Sequence, residues 1–218
     1  MTRAVIFDCD GVLVDTELIS NTVLAGLLTD AGLPTTLELC LREYRGRSMT
    51  SVMELAAQRH GARLPEDIPE RYYAEVEARF AVEGQPIAGI VAALDAIALP
   101  MCVASSGPHY KMAVTLRATG LWGRFEGRIF SATEVAHGKP APDLFLHAAR
   151  EMGFDPASTA VVEDSVPGVA AARAAGMRAL AFAADVDPGA DALAAAGGEV
   201  FHDMAALPAL LGTAVPSS

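Results

Sequence analysis

The sequence predicts an α/β fold, a doubly wound parallel sheet with a small all-helical cap inserted after the first strand. From about residue 87 onward, short apolar segments alternate with segments of helical periodicity, which is typical of βαβ units and a parallel sheet. Residues 17–84 show only helical periodicity, and they follow an apolar run at Ala4–Phe7 that predicts a buried strand. We therefore expect an α/β core from residues 1–16 and 85–218, and a helical cap from residues 17–84.

Each further element is predicted from a local pattern of apolar residues and helix-ending signals. Cap helices are expected from 17 to Gly32, at 37–44, from Ser48 or Thr50 to Gly61, and at 69–82, where a proline lies in the first turn. Core strands are expected at 101–105, 128–131, 160–163 and 178–182. Core helices are expected at 110–119, 141–152 and 168–175, and each is followed by a glycine. An alanine-rich stretch near 190–198 predicts a surface helix and turn.

The composition fits a soluble globular protein and disfavours several function classes. Of the 218 residues, 52% are apolar and 20% are charged. The formal net charge of -11 argues against nucleic acid or an anionic membrane as the main partner, and an acid and a proline interrupt the longest apolar stretch, 87–104. Cys9, Cys40 and Cys102 form an odd, unclustered set that predicts no disulfide framework. We expect a monomer or weak dimer in the cytoplasm.

The most informative stretch is Asp8-Cys9-Asp10-Gly11, which follows the first strand directly. Asp8 and Asp10 share one face of an extended chain, and like charges this close repel unless a cation or a proton separates them. The carboxyl ends of the strands in open α/β sheets are where ligands bind. Gly11 allows a sharp turn and a close approach of the backbone to a ligand. An isolated acid pair is most often only an acidic turn, so the other strand ends decide its meaning.

Polar residues follow two more strands in a similar way. The strand at 101–105 leads into Ser105-Ser106-Gly107, where hydroxyl and backbone N–H groups can cradle an anion. Lys139, in a short loop between a glycine and a proline, is a compact cation suited to phosphate. Each feature alone has an ordinary explanation, a capped turn or a surface lysine.

Glu163 and Asp164 close the strand at 160–163 and repeat the problem posed by the first acid pair. Hard carboxylate oxygens at two strand ends are the ligand set that Mg²⁺ prefers. Phosphoryl transfer needs a cation, N–H donors, a nucleophile and a proton carrier, and the strand ends offer a candidate for each. Their joint occurrence therefore predicts this chemistry.

In order along the chain, these segments resemble the four motifs of the haloacid dehalogenase superfamily. The matching segments are Asp8-Cys9-Asp10-Gly11-Val12, the Ser105 junction, Lys139-Pro140-Ala141-Pro142-Asp143 and Glu163-Asp164-Ser165. The resemblance covers essentially the whole chain, including the helical cap between the first two motifs, and implies a Rossmann-like core. The chain is most similar to the branch of sugar-phosphate phosphatases and β-phosphoglucomutases.

The resemblance implies a role for each of the acids. Asp8 would be the nucleophile that forms an aspartyl-phosphate, and Asp10 would be the general acid/base. Asp8, Asp164 and the backbone carbonyl of Asp10 would bind Mg²⁺, with Glu163 bound directly or through water.

The resemblance also implies how the phosphate is held. Ser105, the N–H groups of Gly11 and Ser106, and the turn at Gly107 would hold the phosphoryl oxygens. Lys139 would neutralise charge on the nucleophile and on the phosphate.

An acid at position 10 indicates phosphate-ester chemistry. The dehalogenases proper lack an acid at this position, since departure of a halide needs no proton. The phosphonate-cleaving relatives also lack it and use a lysine of the cap. The resemblance therefore implies a Mg²⁺-dependent phosphatase with a small-molecule phosphate ester as its substrate. We expect a sugar phosphate or a sugar-acid phosphate such as 6-phosphogluconate.

A β-phosphoglucomutase-like activity is the main alternative. In that mutase a histidine gates the acid/base and an arginine grips the distal phosphate, and the matching positions here are Ser20 and Met49. Arg45 and Arg47 lie nearby, either as contacts for a second anionic group of the substrate or in a solvated basic turn. The missing histidine and arginine favour hydrolysis.

Two non-enzymatic functions are more remote. A phospho-receiver module uses similar groups, but its phosphorylated aspartate lies on a later strand and no helical cap interrupts its fold. A degenerate relative that only senses sugar phosphates is disfavoured by the complete set of motifs.

Overall fold

The computed structural model describes residues 1–44, 49–61, 63–184 and 189–212. The chain divides into two compact units. One unit is formed by Met1–Val14 and Gln85–Ser218, and the other by Asp15–Gly84. We refer to them as the α/β unit and the helical unit.

The helical unit has its own hydrophobic core. Its helices are α1 (Glu17–Asp30), α2 (Leu37–Glu43), α3 (Met49–His60) and α4 (Ile68–Glu83). Leu28, Cys40, Ala56 and Ile68, one from each helix, are fully buried in a single cluster. The apolar periodicity of this block is therefore explained by packing of the four helices against one another.

The other elements alternate between strands and helices. The strands of the chain are β1 (Ala4–Phe7), β2 (Val14–Asp15), β3 (Gln85–Pro86), β4 (Met101–Ser105), β5 (Ile129–Ser131), β6 (Thr159–Glu163), β7 (Arg178–Phe182) and β8 (Glu199–Phe201). The remaining helices are α5 (Ile90–Ala96), α6 (His109–Ala118), α7 (Trp122–Phe125), α8 (Asp143–Met152), α9 (Val166–Ala174), α10 (Ala190–Ala195) and α11 (Leu207–Leu210). In the described part of the chain, none of the helices combines the length and the hydrophobicity of a membrane span.

The order of the strands places the end of β1 at the centre of the main sheet. Among the described residues, six parallel strands form this sheet in the order β5-β4-β1-β6-β7-β8, and β2 pairs separately with β3. From β1 the chain winds outward through β4 and β5 on one side, and then through β6, β7 and β8 on the other. Ligands of open α/β sheets bind where the winding reverses. Here that point lies at the carboxyl end of β1, directly before Asp8.

Helices cover both faces of the sheet. On one face, Ile6 of β1 belongs to a buried cluster with Phe145 of α8 and Val169 of α9. On the other face, the ring of Phe7 packs edge-on against Phe125 of α7, with 6.1 Å between the ring centroids. All four residues of β1 are buried, because neighbouring residues of a strand point to opposite faces and both faces are covered. The apolar run therefore has no polar alternation.

The predicted doubly wound parallel sheet is confirmed. The four core strands expected after residue 100 are present with bounds within one residue of the expected ones. The short edge strand β8, which begins at an exposed glutamate, was not predicted. The role of residues 17–84 as a cap stays a prediction, as does the role of residues 1–16 and 85–218 as the catalytic core.

We expect Phe145→Ala to lower the free energy of unfolding by about 3–5 kcal/mol, because it removes a fully buried ring and leaves a cavity in its place. The next residue of the same helix, Leu146, is 39% exposed, and Leu146→Ala should cost less than about 1 kcal/mol. Urea titration of both variants measures the difference. Equal shifts in the two midpoints would contradict the assigned packing of α8.

Candidate active site

Polar side chains from separate strands meet at one edge of the sheet. Asp8 follows β1, Ser105 ends β4 and Glu163 ends β6. Because β4 and β6 are the two neighbours of β1 and all three strands are parallel, their carboxyl ends lie side by side. Lys139 comes from the loop after β5, the next strand outward. The sheet order therefore brings together residues that are far apart in the sequence.

Lys139 lies between two buried carboxylates. Its Nζ donates to Asp8 Oδ1 at 2.7 Å and to Glu163 Oε1 at 2.5 Å. The three side chains are at most 10% exposed. The ammonium group also lies 5.0 Å from the ring centroid of Phe145, within the range of a cation–π contact. The lysine is thus held in the site, as its place between Gly138 and Pro140 predicts.

Glu163 is fully buried, and hydrogen bonds engage both of its carboxylate oxygens. Oε1 accepts from Lys139, while Oε2 accepts from the N–H groups of Asp164 (2.9 Å) and Ser165 (2.8 Å) and from Ser165 Oγ (2.8 Å). Ser165 is also the N-cap of α9, since its Oγ accepts the N–H of Gly168 at 3.1 Å. Glu163 therefore joins the end of β6, the start of α9 and Lys139, which offsets the cost of burying its charge.

Two glycines allow the carboxylates to lie this close to the backbone. Gly11 has a φ of 77°, and a Cβ there would lie 1.9 Å from Asp164 Oδ2. A Cβ on Gly168 would lie 1.8 Å from Glu163 Oε1. The Gly11 N–H donates to the Val14 carbonyl at 2.8 Å. Its role as a phosphate donor stays a prediction, and that role would require the Val14 bond to be shared or broken.

Asp8, Glu163 and Asp164 form a cluster suited to a metal ion, with one carboxylate oxygen of each within 4.8 Å of the others. Burial raises the pKa of Asp8 to about 7, against the effect of Lys139 and in the same direction as Glu163 and Asp10. Burial by itself would lower the pKa of Lys139, but Asp8 and Glu163 outweigh it and raise that pKa. One lysine thus leaves Asp8 inclined to hold a proton. A further cation on the carboxylate oxygens fits this donor set.

The turn after β4 is ordered by hydrogen bonds within it and to β5. Ser105 is buried, and its Oγ accepts the N–H of Gly107 at 3.2 Å. The Gly107 carbonyl accepts from Oγ of the buried Ser131 at 2.8 Å. Ser106 is exposed between them. The predicted anion cradle is therefore an ordered turn at the same edge as Asp8.

Asp10 is paired with a lysine that the sequence analysis did not single out. Lys111 Nζ donates to Asp10 Oδ2 at 2.7 Å, and the two side chains are 38% and 32% exposed. Lys111 lies in the first turn of α6. A signal was available in the sequence, since a cation in the first turn of a helix is disfavoured by the helix dipole and needs a partner.

Comparison with known proteins identifies the family. The sequence model of haloacid dehalogenase-like hydrolases matches residues 2–176. The chain belongs to this family. It is 34% identical over 184 residues to the 6-phosphogluconate phosphatase of Escherichia coli (strain K12), and this match covers 84% of the chain and 83% of the relative. It is 30% identical over 178 residues to the fructose-1-phosphate phosphatase of the same strain, and this match covers 80% of the chain and 93% of the relative.

Solved structures of haloacid dehalogenase-like proteins share the whole fold. A protein of unknown function from Agrobacterium tumefaciens superposes with a TM-score of 0.90 at 33% identity, over 97% of this chain and 98% of that one. A hydrolase from Deinococcus radiodurans with bound phosphate and sodium gives a TM-score of 0.86 at 31% identity, over 99% of both chains. The predicted superfamily and its α/β fold are confirmed, as is the enzyme class, a phosphoric monoester hydrolase.

The structure brings most of the predicted site residues to one sheet edge of this family member. Asp8, Lys139, Glu163 and Asp164 lie together, with the Ser105 turn and Asp10 at the same edge. Arg45 and Arg47 lie outside the described residues. Lys111 and Gly168 were not among the site residues predicted from the sequence. The catalytic and binding role of each residue stays a prediction.

Without divalent metal, stability contributed by Asp8 should fall as the pH rises. Its folded pKa of about 7 exceeds the ordinary value of 3.8, so the folded state binds this proton more tightly, and the contribution is lost between those two values. Asp8→Asn removes this pH-dependent contribution to stability, because the amide does not titrate. We expect the variant to gain stability relative to the wild type between about pH 5 and about pH 8.

Urea titrations in EDTA at both pH values provide the measurement. Glu126→Gln is a suitable control, because Glu126 is an exposed acid of the same unit. A constant difference between Asp8→Asn and the wild type would contradict the raised pKa.

Proposed function

We propose that the protein is a Mg²⁺-dependent phosphatase of small phosphorylated metabolites, with Asp8 as the nucleophile and Asp10 as the general acid/base. The observation that carries the proposal is the buried contact of Lys139 with Asp8 and Glu163 at the topological switch point. Asp10 lies two residues from Asp8, and the ordered turn at Ser105 lies at the end of the neighbouring strand. Candidates for a nucleophile, a cation, a proton carrier and an anion cradle therefore lie at one edge, which supports the proposal.

The proposed reaction has two displacements at phosphorus. A carboxylate oxygen of Asp8 forms a bond to phosphorus while the ester P–O bond breaks, and the leaving oxygen takes a proton from Asp10. Water then attacks the aspartyl-phosphate and gives a proton to Asp10, and the bond between Asp8 and phosphorus breaks. The products are an alcohol and inorganic phosphate, and both acids return to their starting states.

Lys139 supports the first displacement by its bond to Asp8. A buried carboxylate with a raised pKa is a poor nucleophile while it holds a proton, and the lysine favours the charged form. Glu163 keeps the lysine in place through Oε1. We propose that Ser105, the backbone N–H groups of Gly11 and Ser106, and the turn at Gly107 hold the phosphoryl oxygens. The Gly107 N–H itself donates to Ser105 Oγ and orders this turn.

Asp8, Asp164 and the carbonyl of Asp10 would hold Mg²⁺, which would neutralise charge on the carboxylates and on the phosphoryl group. Glu163 Oε2 already accepts three hydrogen bonds. Its contribution would therefore come through Oε1, which it shares with Lys139, or through water.

The substrate class is supported by similar proteins and by the sequence of the helical unit. Two relatives are named for 6-phosphogluconate and fructose 1-phosphate. We propose a sugar phosphate or sugar-acid phosphate, and a role for Arg45 and Arg47 in binding a second anionic group such as a carboxylate. Monomeric or weakly dimeric state and a cytoplasmic location remain predictions.

Asp8→Asn should reduce phosphate release by more than about 1,000-fold, because the amide cannot form the phosphorylated intermediate. Asp10→Asn should reduce it about 100- to 10,000-fold. Release of phosphate from a panel of sugar phosphates with Mg²⁺ measures both losses. Asp95→Asn, at an exposed acid that pairs with Arg124, is the matched control. Activity retained by Asp8→Asn would exclude the covalent mechanism, and isomerisation without phosphate release would identify a mutase.

Arg45→Gln and Arg47→Gln should raise the KM for 6-phosphogluconate about tenfold and leave the KM for glucose 6-phosphate nearly unchanged, since only the first has a carboxylate. Arg63→Gln is a control, because Arg63 is an exposed arginine of the same unit that pairs with Glu66. Equal changes for both substrates would exclude carboxylate recognition by these arginines.

A further inference from the structure

We propose that Lys111 is a positioning residue that holds the Asp10 carboxylate in the orientation needed for proton transfer. The inference rests on the proposed function, in which Asp10 is the general acid/base. Lys111 lies outside the motifs that identify the family resemblance, and it acts on the reaction through Asp10.

The contact fixes one of the two oxygens of the carboxylate. Lys111 Nζ lies 2.7 Å from Asp10 Oδ2, a strong charge-assisted hydrogen bond between residues 101 positions apart. With Oδ2 engaged by the lysine, rotation of the carboxylate is restricted and Oδ1 becomes the oxygen that exchanges a proton with the substrate or water. Both side chains are about one-third exposed, so solvent and substrate reach the pair.

The aliphatic part of the Lys111 side chain lies beside the turn that follows β4. A Cβ on Gly107 would lie 3.5 Å from Lys111 Cδ and 3.7 Å from Ser105 Oγ. The lysine stem therefore runs beside the same turn that we propose as the phosphate cradle. The turn at 105–107 would therefore affect both the position of the phosphate and, through Lys111, the orientation of Asp10.

The place of Lys111 in its helix supports a role in the site. It is the third residue of α6, where the dipole of the helix repels a positive charge. The other cation of this helix near an end, Arg117, lies in the last turn, where the dipole favours it. A lysine in the first turn gains nothing from its own helix, and Asp10 supplies the compensating charge.

The two acids of the first motif have separate cations from separate elements. Lys139 contacts Asp8 and Glu163, and Lys111 contacts Asp10. Because Lys139 is engaged by two buried carboxylates, the orientation of Asp10 depends on Lys111. Small misplacements of a catalytic group cost large factors in rate, so loss of Lys111 should lower kcat.

The test compares two leaving groups during phosphorylation of Asp8. An alkoxide needs a proton in order to leave, whereas p-nitrophenolate leaves without one. The probes are p-nitrophenyl phosphate and a phosphate ester of a neutral sugar, chosen as the one that the wild type hydrolyses fastest. Rapid-quench measurements at saturating substrate give the phosphorylation rate for the wild type, Lys111→Met, Lys111→Arg and Arg117→Met. Arg117→Met removes a cation from the same helix, one that lies over the ring of Trp122.

We expect Lys111→Met to slow phosphorylation by the sugar phosphate about tenfold or more, with KM nearly unchanged. The burst of p-nitrophenol should stay within about twofold of the wild type, because that step needs no acid. Lys111→Arg keeps a donor and a charge and should recover part of the rate. Arg117→Met should match the wild type. The unfolding midpoint of Lys111→Met should move little, because a partly exposed ion pair contributes little to stability.

Three results would overturn the inference: an unchanged rate, an equal loss for both leaving groups, or a higher KM with unchanged kcat, which would mean that Lys111 binds the substrate directly. Asp10→Asn in the same assay separates this inference from the proposed function. If Asp10→Asn shows no dependence on the leaving group, the assigned role of Asp10 fails. If Asp10→Asn shows it and Lys111→Met does not, only the role of Lys111 fails.

Discussion

The site is organised by one buried interaction, the ammonium group of Lys139 between the carboxylates of Asp8 and Glu163. A buried ion cluster of this kind adds little net stability, because the desolvation of the charges offsets their attraction. Its effect is on position and charge. Glu163, engaged by four hydrogen bonds, fixes the lysine, and the lysine fixes Asp8 at the end of the central strand. The remaining excess of negative charge supports the proposed binding of a divalent cation there.

Small residues around this cluster are as necessary as the charged ones. The space that a side chain would take at Gly168 is occupied by the Glu163 carboxylate, and the space at Gly11 is occupied by the Asp164 carboxylate. The Glu163 carboxylate is held by a buried network, so it cannot move aside at low cost. At Gly11 the positive φ of 77° is a second reason why a side chain is disfavoured. The backbone at these two positions therefore forms part of the wall of the acidic cluster.

The sequence predicts the fold and the motif residues because each rests on a local signal. Continuous apolar runs followed by acids, serines or a loop lysine mark the strand ends of a parallel sheet. Lys111 was missed because its partner lies 101 residues away and because a lysine in a helix is usually a solvated surface residue. Gly168 was interpreted only as a helical residue, since the approach of Glu163 depends on tertiary structure. The three-residue strand β8 is formed by pairing with β7 rather than by its own pattern.

The central place of β1 has a consequence for how the chain folds during synthesis. β1 is made first, but its partners in the sheet are made much later. β4 follows the whole helical unit, and β6 follows more than half of the α/β unit as well. A nascent chain that ends before residue 159 therefore carries a fully apolar strand with one edge unpaired. Such segments favour aggregation, and pairings of large sequence separation form slowly. The helical unit, with its own core, is complete before the sheet can close around β1.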